Sequence, residues 1–192
     1  MVTLNRIYTR TGDGGDTRLS TGETVRKTNA RVEAYGSVDE TNACVGLVRQ
    51  HTAGDDVLDP ILLRIQNELF DLGADLATPE RAAPLGFEPL RVLASQVDRL
   101  EHEIDRLNAD LEPLKSFVLP AGEASAAALH LARTVCRRAE RQAVALADIP
   151  GETVSPAAIQ YLNRLSDLLF VAARWANRQG AGDVLWAPGA TR

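Results

Sequence analysis

Four arginines crowd one short stretch of the chain, LHLARTVCRRAER: Arg133, Arg137, Arg138 and Arg141, with Glu140 set among them. At helical spacing, positions 133, 137 and 141 step four residues at a time onto one face, and Glu140 lies beside them. The result is a column of guanidinium groups about 12 Å long. Like charges at this spacing repel by about a few tenths of a kcal/mol each unless an anion sits among them. Guanidinium forks match phosphate oxygens bidentately, so the column is a candidate polyphosphate site. The alternative is a solvated basic face with one local Glu–Arg pair. A separate track of small and apolar residues, Ala127, Leu131, Val135 and Ala139, is expected to pack against neighbouring helices.

Two further stretches offer anion- or nucleotide-binding parts. Residues 7–27 (IYTRTGDGGDTRLSTGETVRK) mix threonine, glycine and aspartate, with turn signals at Asp13-Gly14-Gly15 and Thr21-Gly22. Glycines admit close backbone approach, threonine hydroxyls and N–H groups can cradle phosphates, and Arg10, Arg18 and Lys27 add positive charge. No Gly-Lys-Ser/Thr opens a helix after it, so this is not a Walker A loop, and a bland hairpin arm is the competing reading. In YLNRLSDLLF (161–170), Asn163, Ser166 and Asp167 share one helical face. They could read a nucleobase edge or a ribose, or simply hydrogen-bond a neighbouring helix. The mid-helix acids Asp39 and Glu40 are either a solvated face or partners of arginines on another helix or subunit.

Several chemistries are excluded. His51, His102 and His130 stand apart, with no HExxH and no Glu-x-x-His pair, so no metal-ligating set is expected. No GxSxG and no cysteine–histidine arrangement signals a covalent nucleophile. His130 reads as a packed or hydrogen-bonded helix residue, and Cys44 and Cys136 as small buried groups. An enzyme with these parts works by positioning reactants and stabilising phosphate charge.

The elements that must hold these residues are helical. The chain has 192 residues, 45% apolar and 5% aromatic, which suits one domain with an aliphatic, alanine-rich core. A net charge of −5 argues against nucleic-acid binding. No apolar run approaches the ~18 residues of a membrane span and no signal sequence opens the chain, so a cytoplasmic protein without a membrane partner is expected. Apolar periodicity predicts helices over 28–51, 57–78, 89–110, 123–148 and 156–178, the third with Pro89 in its first turn. With an irregular arm (1–27), a connector (79–88) and a tail (179–192), this is a single-domain, all-α, five-helix up-and-down bundle.

The blocks TRTGDGGDT, AYGSVDETN, IQNELFDLGADLA, SFVLPAG, LHLARTVCRRAER and YLNRLSDLLF, in this order, resemble the PduO-type ATP:cob(I)alamin (corrinoid) adenosyltransferases over nearly the whole chain. The resemblance implies a ferritin-like five-helix bundle forming a homotrimer, with active sites between adjacent subunits. It implies transfer of the 5′-deoxyadenosyl group from ATP to the cobalt of cob(I)alamin, with Mg²⁺ present and triphosphate released. Because Co(I) is the nucleophile, no protein nucleophile is required. By the same resemblance, Thr9, Arg10, Thr11, Gly12, Thr17, Arg18 and Lys27 wrap the triphosphate. Arg137, Arg138, Glu140 and Arg141 of the neighbouring subunit complete the site, Asn163 also touches ATP, and Arg137 most stabilises the leaving group. Asp39 and Arg133 form an intersubunit ion pair beside the corrin, and Phe117 presses on its lower face and keeps a base off the cobalt. The implied partners are a cobalamin reductase and an adenosylcobalamin-dependent mutase or dehydratase. Departures from the family pattern are Arg18, Ala121 and Thr41, expected to affect affinity, turn freedom and the interface helix. Rival readings are a non-catalytic ATP and cobalamin carrier, and a purely structural bundle.

Overall fold

The computed structural model describes residues 8–81 and 85–192. The first seven residues of the arm and residues 82–84 of the 79–88 connector lie outside the described residues. A two-stranded hairpin, β1 (Asp16–Arg18) and β2 (Thr24–Arg26), precedes five helices: α1 (Ala30–Thr52), α2 (Leu58–Leu76), α3 (Ala94–Asn108), α4 (Ala124–Ala147) and α5 (Pro156–Ala176). The all-α five-helix reading thus holds, with every helix end except one within two residues of its expected place.

The caps explain most of the boundaries. Asn29 accepts the Arg31 N–H at 2.8 Å and starts α1. Asp55 accepts the Val57 and Leu58 N–H groups at 2.9 and 2.8 Å and starts α2. Ser155 followed by Pro156 opens α5. The exception is α3, which begins at Ala94 rather than Pro89. The buried Asp75 of α2 accepts the Val92 N–H at 2.9 Å and the Arg91 guanidinium at 2.6 Å, holding that stretch outside the helix. Tertiary bonding there overrides the local helix signal.

Arg31 donates to Leu76 O at 2.7 Å and pairs with Glu152, so the start of α1, the end of α2 and the loop after α4 share one end of the bundle. Helix α1 packs on α2 and α4, α4 on α5, and α5 on α3. Leu62, Ile65, Leu69, Leu72, Leu162, Leu165 and Leu169 fill the core. Ala132, Ala139 and Ala143 of α4, all fully buried, let neighbouring backbones approach closely. The expected packing track through Leu131 is corrected, because that side chain is 51% exposed. A strict four-residue step overshoots the 3.6-residue turn and drifts around the helix. The buried stripe instead runs through Leu129, Ala132, Cys136, Ala139 and Ala143. Cys136 is buried as expected and donates to Leu162 O, with burial raising its thiol pKa, whereas Cys44 is only partly covered.

At the opposite end, the 109–123 linker meets the tail. Val118 bridges Leu185, Leu119 N–H donates to Val184 O at 2.8 Å, and Trp186 N–H donates to Phe117 O at 2.8 Å. The tail is therefore a clip on the Phe117 segment. Gly122 has φ +102°, and a Cβ there would stand 2.1 Å from Asn177 Oδ1. The residue needing conformational freedom in LPAG is therefore Gly122, and Ala121 keeps a negative φ.

Candidate functional site

At the arm end, the hairpin pairs Asp16 with Arg26, Thr17 with Val25 and Arg18 with Thr24. A cradle of ≈ 660 Å³ opens beside it, lined by Thr9, Thr11, Gly12, Asp16, Thr17, Arg18, Thr24 and Lys27. Six of the seven expected arm residues line this cradle. Arg10 does not; it takes φ 63° and its guanidinium stands 5.8 Å over the Tyr8 ring. Sequence reasoning missed Asp16, Thr24 and Arg26. Arg26 donates to Gly14 O at 2.8 Å and to Asp16 Oδ1 at 2.9 Å, closing the glycine turn. The cross-strand register was the signal that could have found them, and it was hidden by strands of three residues each.

The cradle is moored to the bundle. Ser20 Oγ donates to Ala77 O at 2.6 Å, and Arg81 bridges Glu23 at 3.2 Å and Glu152 at 3.5 Å. Glu152 in turn holds the buried Arg31. Burial pushes the Glu152 carboxyl up, but hydrogen bonds from Arg31 and Arg81 outweigh it and leave its pKa below the ordinary glutamate value. A lowered carboxyl pKa stabilises the fold above the ordinary glutamate value, and the contribution is lost as pH falls through the lowered one. Glu152→Gln is therefore expected to lose about 1–3 kcal/mol near neutrality, read from urea midpoints. The deficit should shrink as pH falls below the ordinary glutamate range and the wild type loses the same charge. A deficit independent of pH would refute the mooring role of this carboxylate.

The arginine column forms on α4 as read, although within one chain it adds no side chain to the cradle lining. Arg137 and Arg141 are exposed, and Arg141 Nη1 donates to Arg137 O at 3.0 Å. Arg138 pairs with Glu40 of α1, so one of the two mid-helix acids does face an arginine on another helix. Asp39 is exposed and forms no ion pair among the described residues of the single chain. Asn163 Nδ2 donates to Glu140 Oε1 at 2.9 Å, joining the two polar constellations. The expected common face of Asn163, Ser166 and Asp167 is corrected. Ser166 is buried and donates to Asn163 O, while Asp167 is exposed and pairs with Arg164 at 2.9 Å.

Because α4 ends at the arm side of the bundle, the column runs from Arg141 nearest that side to Arg133 farthest from it. There a pocket of ≈ 500 Å³ is lined by Leu114, Ser116, Phe117, Val118, Arg133 and Phe170. Burial and the neighbouring Arg137 lower the pKa of Arg133, whose Nε is buried without a partner among the described residues. Phe170 leans on His130 at 6.1 Å between ring centroids. His130 is 1% exposed, and burial followed by the charge of Arg133 lowers its pKa and favours the neutral ring, which bears out a packed histidine. Phe170 was missed because an aromatic in a leucine-rich run reads as core. The bundle therefore carries a polar cradle at the arm, a guanidinium column on α4 and an apolar aromatic pocket where that column ends.

The description "Cobalamin adenosyltransferase" fits the model of a family that matches residues 7–176. A corrinoid adenosyltransferase of Mycobacterium bovis is 52% identical over 191 residues, covering 100% of this chain and 97% of that protein. One from Bacillus subtilis is 44% identical, covering 93% of this chain and 91% of its own. Among solved structures, a variant PduO-type ATP:corrinoid adenosyltransferase from Lactobacillus reuteri, complexed with cobalamin and ATP, superposes with TM-score 0.84 at 40% identity. That match covers 94% of this chain and 99% of the other. With the family model spanning most of the chain and the fold shared over 94% of it, the protein belongs to the cobalamin adenosyltransferases of the PduO type.

Proposed function

We infer that this protein transfers the 5′-deoxyadenosyl group of ATP to cob(I)alamin. The observation that carries the reading is the placement of the arginine column on α4, ending at Arg133 in the Phe117 pocket. In the transfer, the Co(I) electron pair forms a bond to C5′ of ATP, the C5′–O5′ bond breaks, and the electron pair leaves with triphosphate. Negative charge thus builds on phosphate oxygen, where guanidinium groups stabilise it.

Thr9, Thr11, Gly12, Thr17, Arg18 and Lys27 suit the triphosphate, since they line one cradle, and Arg10 reaches it by rotating off Tyr8. Arg137, Arg138, Glu140, Arg141 and Asn163 complete the nucleotide site from an adjacent subunit of a homotrimer, with Arg137 as the catalytic charge stabiliser. The exposure of Arg137 and Arg141 in one chain supports a site finished by a second copy. Asp39 of one subunit pairs with Arg133 of the next beside the corrin; the exposure of Asp39 on α1 supports this. Phe117, 77% exposed beside Trp186 and Phe170, covers the lower corrin face and keeps an axial base away. A cobalt without that ligand is more readily reduced from Co(II) to Co(I).

Mg²⁺ fits as an ion carried by the triphosphate and neutralising its charge. Among the described residues no three acid, histidine or cysteine side chains gather into a cage, which suits a metal held chiefly by phosphate oxygens, with Asp16 the carboxylate at the cradle. The domain extends over 1–192, with the arm 1–27, the bundle 28–178 and the tail 179–192. No helix of the described residues is long and apolar enough to cross a membrane, in keeping with a cytoplasmic enzyme. A cobalamin reductase supplying Co(I), and a mutase or dehydratase receiving the product, are its partners. The test is stoichiometric: phosphorus NMR should show one triphosphate for each adenosylcobalamin formed, and phosphate plus pyrophosphate without adenosylcobalamin would contradict the transfer.

A further inference from the structure

Phe117 is 77% exposed, so core packing does not set its position. Trp186, at 6.0 Å between ring centroids, is its aromatic neighbour and belongs to the tail. What holds both segments is a buried polar knot at the end of α5. Asn177 is fully buried. Its Oδ1 accepts the Glu123 N–H at 2.9 Å, and its Nδ2 donates to Ala121 O at 3.2 Å and Asp183 Oδ1 at 3.3 Å. Asp183 Oδ2 accepts from Arg174 Nε at 2.8 Å, and Arg174 Nη2 donates to Glu112 O at 2.8 Å.

Both ends of the Phe117 loop, at Glu112 and at Ala121–Glu123, and the root of the tail at Asp183 are thus tied to one turn of α5. The tail then carries the constraint to the loop through Leu119–Val184 and Trp186–Phe117 backbone bonds. Gly122 leaves room for the Asn177 amide and for nothing more, since a Cβ would come within 2.1 Å of it. A helix-ending residue need only satisfy its own helix, whereas the Asn177 side chain directs both donors and its oxygen to the loop and the tail. An amide suits this place because one group must accept from a backbone N–H while donating to a carboxylate.

We propose that Asn177, supported by Asp183 and Arg174, is a positioning residue that sets Phe117 in the corrin-side pocket. This rests on the reading of Phe117 as the lower-face contact. An aromatic placed on a flat ligand from a loop depends on anchors of this kind, since a misplacement of about 1 Å can cost up to about 10²-fold in rate.

The test is Asn177→Asp, which keeps the size and the acceptor for Glu123 but removes both donors and sets a second carboxylate against Asp183. Rates are measured from chemically pre-reduced cob(I)alamin and from cob(II)alamin with a reductant. The cob(II)-to-cob(I) rate ratio is expected to fall about tenfold or more. Adding Phe117→Ala should bring no further fall, because the two residues act through one contact. Equal loss in both assays, an unchanged ratio, or additive losses in the double variant would overturn the proposal. Phe117→Ala alone with an unchanged ratio would instead remove the lower-face reading on which it rests, so the two failures are told apart. If Asn177→Asp does not fold, Asp183→Asn, which keeps the oxygen acceptor for Arg174, is read in the same way.

Discussion

Arg137→Ala is expected to lower adenosyl transfer by about 10²-fold or more while the proposed homotrimer stays intact by size-exclusion chromatography. Arg137 is exposed on α4, so its truncation removes no core packing and opens no cavity. On the proposed reading, what it removes is a donor aimed at charge that develops only as the C5′–O5′ bond breaks. An interaction made in the transition state alone shows itself in kcat more than in KM. Arg137→Lys should recover part of the loss, because a point charge replaces the fork without its bidentate geometry. A variant that dissociates into monomers and still binds ATP as the wild type does would make the column an interface device.

Phe117→Ala should have the second large effect, and a selective one. The side chain is exposed in the single chain, so folding should survive, with little change in melting temperature. The rate from cob(II)alamin should fall by about tenfold or more relative to the rate from pre-reduced cob(I)alamin. The reason, on the proposed lower-face role, is chemical: with that face uncovered, a base can ligate cobalt and make its reduction harder. Bound cob(II)alamin should correspondingly keep the visible spectrum of a ligated cobalt. Equal losses from the two starting states would show that Phe117 contributes general affinity and not control of the axial ligand.

Local signals carried much of this account. The five helices follow from apolar periodicity, and the arginine column follows from four-residue spacing alone. The arm residues facing a common cradle were legible as residue types, through glycine, threonine and positive charge, although their hairpin was too short to announce itself. The parts not legible are set by contacts between distant residues. Asp75 delays α3 by capturing Val92, seventeen positions later. Arg31, among the most polar of side chains, lies 1% exposed because Leu76 O and Glu152 satisfy it from elements far along the chain. The clip between Phe117 and Trp186 joins positions seventy or so apart, and periodicity within either segment contains no trace of it. Leu131 shows the converse: a plausible local pattern placed it inward, and the true helical pitch turned it out to solvent.

The transfer can be followed in the visible spectrum of the purified protein with ATP, Mg²⁺ and chemically reduced cob(I)alamin under anaerobic conditions. Adenosyl transfer should show as loss of the Co(I) band and growth of the adenosylcobalamin spectrum, dependent on ATP. Tight binding of both ligands with a Co(I) band that persists would contradict it and leave the protein a carrier.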